Sequence, residues 1–228
     1  MKNMKSLIEI KNLTAAYEDK VVFTDVNIKV DELDFLVITG PNGGGKTTLV
    51  KTMLGLLKPV SGEICFFKNG QPVEELNIGY LPQYNVIDKK FPISVFDVVI
   101  SGLSRQKRWF ASYNEEQKAQ ARQIIERMGL EGLEQRPIGA LSGGQIQRAL
   151  LGRAIVSNPD VVVLDEPNTY IDRTFQSKLY EMLEEINRES AIVLVSHDMH
   201  AVKNLAKTLV YVNHCVEYRS LEEKINTL

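Results

Sequence analysis

Apolar residues along this chain fall into two strand patterns. Residues 21–30 alternate between apolar and polar side chains, which predicts a half-exposed antiparallel strand. Residues 35–39, 161–164 and 191–195 are continuous apolar runs, which predict strands that are buried on both faces. Further strands are predicted at residues 7–13, 61–67, 77–81 and 208–212, of which the last should be the final strand of the core.

Apolar residues at i, i+3 and i+4 spacing predict the helices. The first follows residue 46 and should stop before Pro59. A second begins at Ser94, which with Asp97 has the spacing of a capping box. The others are predicted to begin at Asn114, after Gln145 and at Asp172. Strands and helices together predict an α/β protein with a helical insertion between strands of its core.

Composition excludes several classes of protein. At 228 residues the chain can bury a full core, and Cys65 and Cys215 are too far apart to suggest a metal motif, which favours structural thiols in a reducing compartment. A net charge of −2 gives no basic surface for nucleic acid. The apolar runs are too short to span a membrane, and Glu9 and Lys11 interrupt the apolar stretch that a signal peptide needs.

The segment GPNGGGKT, residues 40–47, follows the apolar strand at residues 35–39 and is called the phosphate loop below. Its spacing is GxxxxGK[ST], in which glycines let backbone N–H groups turn toward a polyphosphate. Lys46 would reach the β- and γ-phosphates, and Thr47 would ligate Mg²⁺. A plain glycine-rich turn is the alternative, but such a turn requires one or two glycines rather than four followed by Lys-Thr.

Two carboxylates end the apolar strand at residues 161–164. Asp165 at the carboxyl edge of a sheet can hold the hydration shell of Mg²⁺ opposite Thr47. Glu166 points the other way and can orient the attacking water. The alternative is a pair of solvated acids at a strand end, and the phosphate loop upstream argues against it.

A second glycine-bearing helix start occurs at residues 141–145, LSGGQ, which we call the signature segment. Ser142 as N-cap, with the N–H groups of Gly143 and Gly144, would form another anion site. Two phosphate-binding elements could serve two nucleotides, or two copies of the chain could each lend one element to the other.

Three further features have ordinary interpretations. From its position alone, Tyr17 is a packing residue on a turn. Residues 105–110, RQKRWF, are more typical of a solvated face than of a nucleic-acid site. His197 and His200 share a helical spacing but are not expected to bind a transition metal.

GPNGGGKT, the glutamine after Tyr80-Leu81-Pro82, LSGGQ, VVVLDEP and Ser196-His197-Asp198 occur in this order. Together they resemble the nucleotide-binding subunit of ATP-binding cassette transporters over essentially all 228 residues. The resemblance implies a P-loop NTPase (RecA-like) core with an antiparallel β subdomain and an inserted helical subdomain. It implies a single domain, residues 1–228, with the core at 1–83 and 157–228 and the helical subdomain at about 84–156.

The resemblance also implies the site residues. Lys46, Gln83, Glu166 and His197 would be catalytic, with His197 bonded to the γ-phosphate, and Thr47, Gln83 and Asp165 would hold Mg²⁺. Tyr17 would stack on adenine, which replaces its packing interpretation. The residues implied to contact ATP are Tyr17, Gly40, Pro41, Asn42, Gly43, Gly44, Gly45, Lys46, Thr47, Thr48, Leu141, Ser142, Gly143, Gly144, Gln145 and Asp172.

The implied partners are a second copy, in a head-to-tail dimer that sandwiches ATP, and integral membrane permease subunits, with an extracytoplasmic substrate-binding protein acting indirectly. The chain would lie peripherally on the cytoplasmic face of the cell membrane. Residues 91–99 and 136–139 resemble the zinc, manganese and iron import branch. One departure is Tyr170, which is bulky where the family has small residues. Either the facing surface has a matching hollow or the coupling between the ATP sites is altered.

The ATPase of a transporter for another solute is one alternative, and three other functions share part of this motif set. A cytoplasmic cassette ATPase without a transporter should have two cassettes or a long coiled coil, which this chain lacks. An idle nucleotide-binding module should lack the catalytic residues that are present here. A GTPase or kinase of the P-loop class would not need a segment such as LSGGQ.

Overall fold

The computed structural model of the chain describes residues 5–18, 20–83, 92–106, 112–168 and 173–219. Ten strands and six α-helices lie within these ranges. The strands are β1 (Ser6–Tyr17), β2 (Lys20–Asp31), β3 (Phe35–Thr39), β4 (Ser61–Lys68), β5 (Gln71–Val73), β6 (Ile78–Leu81), β7 (Val161–Asp165), β8 (Ala191–Val195), β9 (Thr208–Val212) and β10 (Val216–Arg219). The helices are α1 (Lys46–Met53), α2 (Val95–Ile100), α3 (Glu115–Arg127), α4 (Gly143–Ile155), α5 (Arg173–Ile186) and α6 (Met199–Val202).

The strands form two sheets. One is antiparallel, in the order β2-β1-β4-β5, and the other has the order β10-β9-β3-β8-β7-β6. In the second sheet β9, β3, β8, β7 and β6 run parallel, with Val37 opposite Leu194 and Val163 opposite Val193. Only β10 pairs with its neighbour β9 in the antiparallel direction. The carboxyl ends of the five parallel strands therefore meet at one edge, which is where α/β proteins place ligands.

Both faces of the mainly parallel sheet are covered. Phe35 and Val37 belong to one hydrophobic cluster with residues of α2 to α5. Leu36 and Ile38, which alternate with them on β3, belong to a second cluster with α1 and the antiparallel sheet. A strand with both faces in a core needs apolar side chains at every position, which is why the sequence of β3 shows no alternation.

The helical insertion occupies the chain between β6 and β7. α2, α3 and α4 each begin with a capping box. The side chain of the N-cap residue accepts a hydrogen bond from the backbone N–H three residues later, and that residue's side chain accepts one from the backbone N–H of the N-cap. The predicted Ser94–Asp97 box is one of these. The domain boundaries given above stay a prediction.

Two strands were not predicted from the sequence. Residues 208–212 form β9, the last buried strand of the core, but β10 follows it and adds an antiparallel edge. The three-residue strand β5 after the Asn69-Gly70 turn was not predicted, because a strand this short has no period to detect. Residues 26, 28 and 30 of β2 are buried while 25, 27 and 29 are exposed, as expected for a half-exposed strand. In the described part of the chain, no helix has the length and apolar character to cross a bilayer.

Candidate nucleotide-binding site

The phosphate loop connects β3 to α1 and is shaped by contact with β9. The backbone at Gly40 has a φ of 145°, and a Cβ there would lie 1.9 Å from the carbonyl oxygen of Val212. A Cβ at Gly44 would lie 2.7 Å from the same oxygen. Gly45, with a φ of 106°, forms the N-cap of α1. Glycine is therefore required here by close backbone packing as well as by the turn.

A cavity of about 550 Å³ opens in front of the phosphate loop. Its walls come from four parts of the chain: the phosphate loop with the start of α1, the ends of β1 and β2, the carboxyl edge of the parallel sheet, and the turn after β9. The lining residues are Tyr17, Lys20, Val21, Val22, Asn42, Gly43, Gly45, Lys46, Thr47, Thr48, Gln83, Glu166 and His214.

Lys46 is held inside the phosphate loop. Its Nζ donates to the carbonyl oxygens of Gly40, at 3.0 Å, and Pro41, at 2.9 Å. Burial lowers the pKa of this ammonium, while the negative charges of Glu166 and Asp165 oppose that shift. The charge is thus already placed among phosphate-binding backbone groups, where it can attract an anion.

Asp165 is a buried carboxylate at the end of β7. Neither of its oxygens has a hydrogen-bond partner among the described residues. Burial raises the pKa of Asp165, whereas the Thr47 hydroxyl, which is near but outside hydrogen-bonding geometry, and the charges of Lys46 and Lys51 oppose this rise. A buried acid without a partner costs free energy in a protein unless something else neutralises it.

Glu166 connects two other candidate residues. Its Oε2 accepts from Nε2 of Gln83 at 2.7 Å, and its Oε1 lies 3.0 Å from Nε2 of His197. The backbone of Glu166 has a φ of 50°, which is unusual for a residue with a side chain. Its N–H donates to the carbonyl of Val195 on β8, and this bond fixes the bend after β7. The three side chains therefore form a cluster at the carboxyl edge of the sheet.

The signature segment does not belong to this cavity. Ser142 is the N-cap of α4, where its Oγ accepts from the N–H of Gln145 at 3.3 Å and its own N–H donates to Oε1 of Gln145 at 3.0 Å. Within the described chain, none of the residues 141–145 is among those lining the cavity. In one copy of the chain the signature segment therefore lies outside the cavity in front of the phosphate loop.

Tyr17 is 51% exposed at the end of β1 and lines the cavity, so it is not a packing residue. Arg105 pairs with Glu75 at 2.8 Å and donates to the Leu76 carbonyl, whereas residues 107–110 lie outside the described residues. Tyr170 and Asp172 also lie outside them. Among the described residues no cluster of His, Cys, Asp or Glu has the arrangement of a metal site.

Comparison with known proteins identifies the family. The family model of the ABC transporter matches residues 23–169, which is more than half of the chain. The chain belongs to the ABC transporter family. This cassette is 32% identical, over 228 residues, to the high-affinity zinc uptake system ATP-binding protein ZnuC of Bacillus subtilis, covering 96% of this chain and 99% of ZnuC. It is 36% identical over 218 residues to the zinc uptake system ATP-binding protein ZurA of Listeria monocytogenes, covering 93% and 82% of the two chains.

The fold of this ABC cassette is shared with solved structures. The dimeric cassette MJ0796, in a post-hydrolysis state bound to ADP and Pi, matches with a TM-score of 0.80 and 25% identity over 94% of this chain and 99% of that one. The predicted α/β fold, with a P-loop NTPase core, an antiparallel sheet and a helical region, is confirmed. So is the prediction of an ATPase that binds ATP.

Four residues that line the cavity of this cassette were missed by sequence reasoning. Lys20, Val21 and Val22 follow the turn after Tyr17, and a hairpin prediction would have placed them beside that residue. His214 has no such signal in the sequence. It reaches the cavity because β9 pairs with β3, and this strand order is a property of the folded sheet.

Proposed function

We propose that this chain is the ATP-hydrolysing subunit of an ABC importer, that it closes as a head-to-tail homodimer on two MgATP, and that it energises the import of a divalent metal ion. One observation carries the proposal. A single cavity collects the phosphate loop, Lys46, Gln83 and Glu166 beside an exposed Tyr17. These are the groups that phosphoryl transfer to water needs: an anion cradle, an immobilised cation and a carboxylate with its positioning partner.

Mg²⁺ fits the residues present. Asp165 is buried with two oxygens that have no hydrogen-bond partner among the described residues, and Thr47 lies on the cavity wall. Hydroxyl and carboxylate oxygens are the ligands that Mg²⁺ prefers. Thr47, Asp165 and Gln83 would hold the ion, which when bound would neutralise the developing charge on the phosphates.

Glu166 is the proposed base. With one oxygen facing Gln83 and the other facing His197, its carboxylate is fixed in orientation and can accept a hydrogen bond from a water molecule in line with the γ-phosphate. His197 would then exchange its contact with Glu166 for one with the γ-phosphate. Stacking on Tyr17 would hold the adenine ring. Asp172 is proposed to lie in the loop that joins the two sites of the dimer.

The second copy of the chain would complete each site. Ser142, Gly143 and Gly144 form an exposed helix start outside their own chain's cavity, and such a start binds anions through its free N–H groups. A two-fold dimer gives each phosphate loop the signature segment of the partner. The dimeric state of the similar cassette MJ0796 supports this arrangement.

Metal import and the membrane partner are supported by relatives. ZnuC and ZurA, which are similar over more than nine-tenths of this chain, are named as ATP-binding proteins of zinc uptake systems. By this proposal the chain lies on the cytoplasmic face of a membrane, bound to permease subunits. An extracytoplasmic binding protein delivers the metal ion to those subunits. No nucleic acid takes part. The cargo never touches this subunit, so zinc, manganese and iron are all candidates.

Two variants and one reconstitution test the proposal. Glu166→Gln should bind ATP and persist as a dimer on size exclusion with little phosphate release, while Lys46→Ala should bind ATP poorly and stay monomeric. Full turnover in Glu166→Gln would remove Glu166 as the base. In the complex reassembled with its permease and binding protein, zinc, manganese or iron should stimulate ATP turnover. Stimulation by an organic solute alone would refute metal import.

A further inference from the structure

The turn between β9 and β10, residues 213–215, is fastened to the phosphate loop. β9 lies beside β3 in the sheet, so the turn after β9 lies beside the loop after β3. The backbone N–H of His214 donates to the carbonyl of Gly44 at 3.0 Å. A Cβ at Gly44 would lie 3.3 Å from the Cα of Asn213. The turn therefore packs against the phosphate loop and is hydrogen-bonded to it.

His214 is an exposed residue of this turn. The residue has a φ of 58°, in the left-handed region, and it is one of the residues lining the cavity with Lys46 and Tyr17. A left-handed backbone is uncommon for a residue with a side chain, although His is among the residue types that tolerate it. The bond to Gly44 therefore fixes where the backbone of residue 214 lies, at the cavity wall.

We propose that His214 is a nucleotide-binding residue whose imidazole N–H donates a hydrogen bond to a phosphate oxygen of the bound nucleotide. This inference rests on the proposed function of the cavity as an ATP site. The bond between the His214 N–H and the Gly44 carbonyl holds the backbone of residue 214 against the loop that would cradle the phosphates, so the imidazole starts within reach of them. Tyr17 and Val22, which would meet the base, come instead from the β1 and β2 side of the cavity.

The charges of the cavity agree with a phosphate contact. Among the lining residues, Lys46, Lys20 and His214 can carry positive charge, and Glu166 is the acid. Lys46 shares its ammonium with two backbone carbonyls, so it cannot bind the phosphate chain with all three of its hydrogens in this arrangement. The imidazole N–H of His214, which comes from the turn after β9, would add a hydrogen bond to the negatively charged phosphates.

The variant His214→Gly isolates the ring. Glycine adopts a φ of 58° without strain, so the bond from the residue 214 N–H to Gly44 is kept while the imidazole is lost. We expect the Kd for MgADP, measured by calorimetry, to rise about ten-fold or more, the scale of one hydrogen bond to a charged group. The matched control is His200→Ala, at an exposed position on α6, which should leave the Kd unchanged. An unchanged Kd in His214→Gly would overturn the inference.

NMR spectroscopy distinguishes a direct contact between His214 and the nucleotide from an indirect effect through the phosphate loop. The chain contains three histidines, so its imidazole carbon-proton spectrum is simple, and the His214 signal is the one missing from His214→Gly. MgADP should shift that signal and leave the signal of His200 in place. A His214 signal that does not move at saturating MgADP would refute the contact, even if affinity falls.

The phosphate assignment is tested with 2′,3′-dideoxy-ADP. If the ring binds phosphate, His214→Gly weakens ADP and the dideoxy analogue by the same factor, since the lost bond is independent of the ribose. A loss seen with ADP and absent with the analogue would assign the ring to a ribose hydroxyl and refute the phosphate contact.

Lys46→Ala tests whether the cavity binds nucleotide at all. If that variant binds MgADP normally, the proposed function fails, whereas normal binding by His214→Gly alone removes only this inference.

Discussion

The side-chain amide of Gln83 donates to Oε2 of Glu166 across 2.7 Å, although the residues are 83 positions apart in the chain. The contact forms because β6 and β7 are neighbouring parallel strands, and each residue follows the carboxyl end of its strand. One oxygen of the proposed base is therefore already bonded before any nucleotide enters. A carboxylate that must hold a water in line with phosphate depends on partners of this kind for its orientation.

Removing the Gln83 amide should lower turnover without removing ATP binding. We expect Gln83→Ala to reduce the rate of phosphate release about ten-fold or more, because the variant loses both the bond that orients Glu166 and a proposed Mg²⁺ ligand. The Kd for ATP should change little, because Tyr17 and the phosphate loop remain. Gln123→Ala, at an exposed position on α3, is the control and should release phosphate at the normal rate. Normal turnover in Gln83→Ala would show that the bond to Glu166 has no part in hydrolysis.

Two glycines of the phosphate loop should differ in their tolerance of a methyl group. A Cβ at Gly40 would lie 1.9 Å from the Val212 carbonyl, whereas a Cβ at Gly43 would meet nothing within 4 Å. In Gly43→Ala the methyl group meets no neighbour, and only the left-handed φ of 77° is unfavourable for alanine. This conformation costs about 1 kcal/mol. Gly40→Ala carries both a φ of 145° and the overlap with backbone, so its free energy of unfolding in urea should fall by about 3 kcal/mol or more. Equal losses in the two variants would contradict this packing argument.

Asp165 should destabilise the nucleotide-free protein at neutral pH. Burial raises its pKa above the ordinary 3.8, so the folded chain keeps this proton to a higher pH than the unfolded chain does. Between 3.8 and the raised pKa the folded state binds more protons, and its stability therefore falls as pH rises. Asp165→Asn should remove this loss. We expect it to exceed the wild type in free energy of unfolding at pH 7, a difference that disappears near pH 4.

The same Asp165 variant should lose the extra stability that MgADP gives to the wild type. Asp34→Asn is the matched control, because burial also raises the pKa of Asp34, but that residue precedes β3 and so lies at the opposite end of the strand from the phosphate loop. Stabilisation by MgADP should survive in Asp34→Asn and be absent in Asp165→Asn. Denaturation curves with and without MgADP at pH 7 measure both effects. An Asp165→Asn protein less stable than the wild type without nucleotide would mean that the carboxylate has a stabilising partner.

Ser142 and Ser94 offer a matched pair for testing the second copy's contribution. Each is the N-cap of a helix and each is part of a capping box. Ser142→Ala and Ser94→Ala should both lose about 1 kcal/mol of stability, the usual cost of removing a serine cap. Only Ser142→Ala should also reduce ATP turnover and ATP-dependent dimer formation, measured by phosphate release and light scattering. A turnover loss of the same size in both variants would indicate that the serine at 142 acts only as a cap.

Much of the fold could be predicted from local patterns. The unbroken apolar runs of β3, β7 and β8 indicated strands buried on both faces, and the clusters on either side of the sheet show why. Lys46 and Thr47 were identifiable because the chemistry of a phosphate loop depends on residues that are adjacent in sequence. β5 and β10 were not identifiable, since one is too short for a period and the other is an edge whose existence depends on β9.

The sequence by itself determined the parts of the site that are local: the loop, the Asp165-Glu166 pair and the two glycines of the signature segment. Their spacing alone selects the chemistry. Only the tertiary structure decided which side chains meet, because strand order brings together residues far apart in the chain. Gln83 and His197 reach Glu166, and His214 reaches the phosphate loop, through parallel pairing of β6, β7, β8, β3 and β9. The packing of the strand faces against the helices and the antiparallel sheet sets that order, and no local period records it.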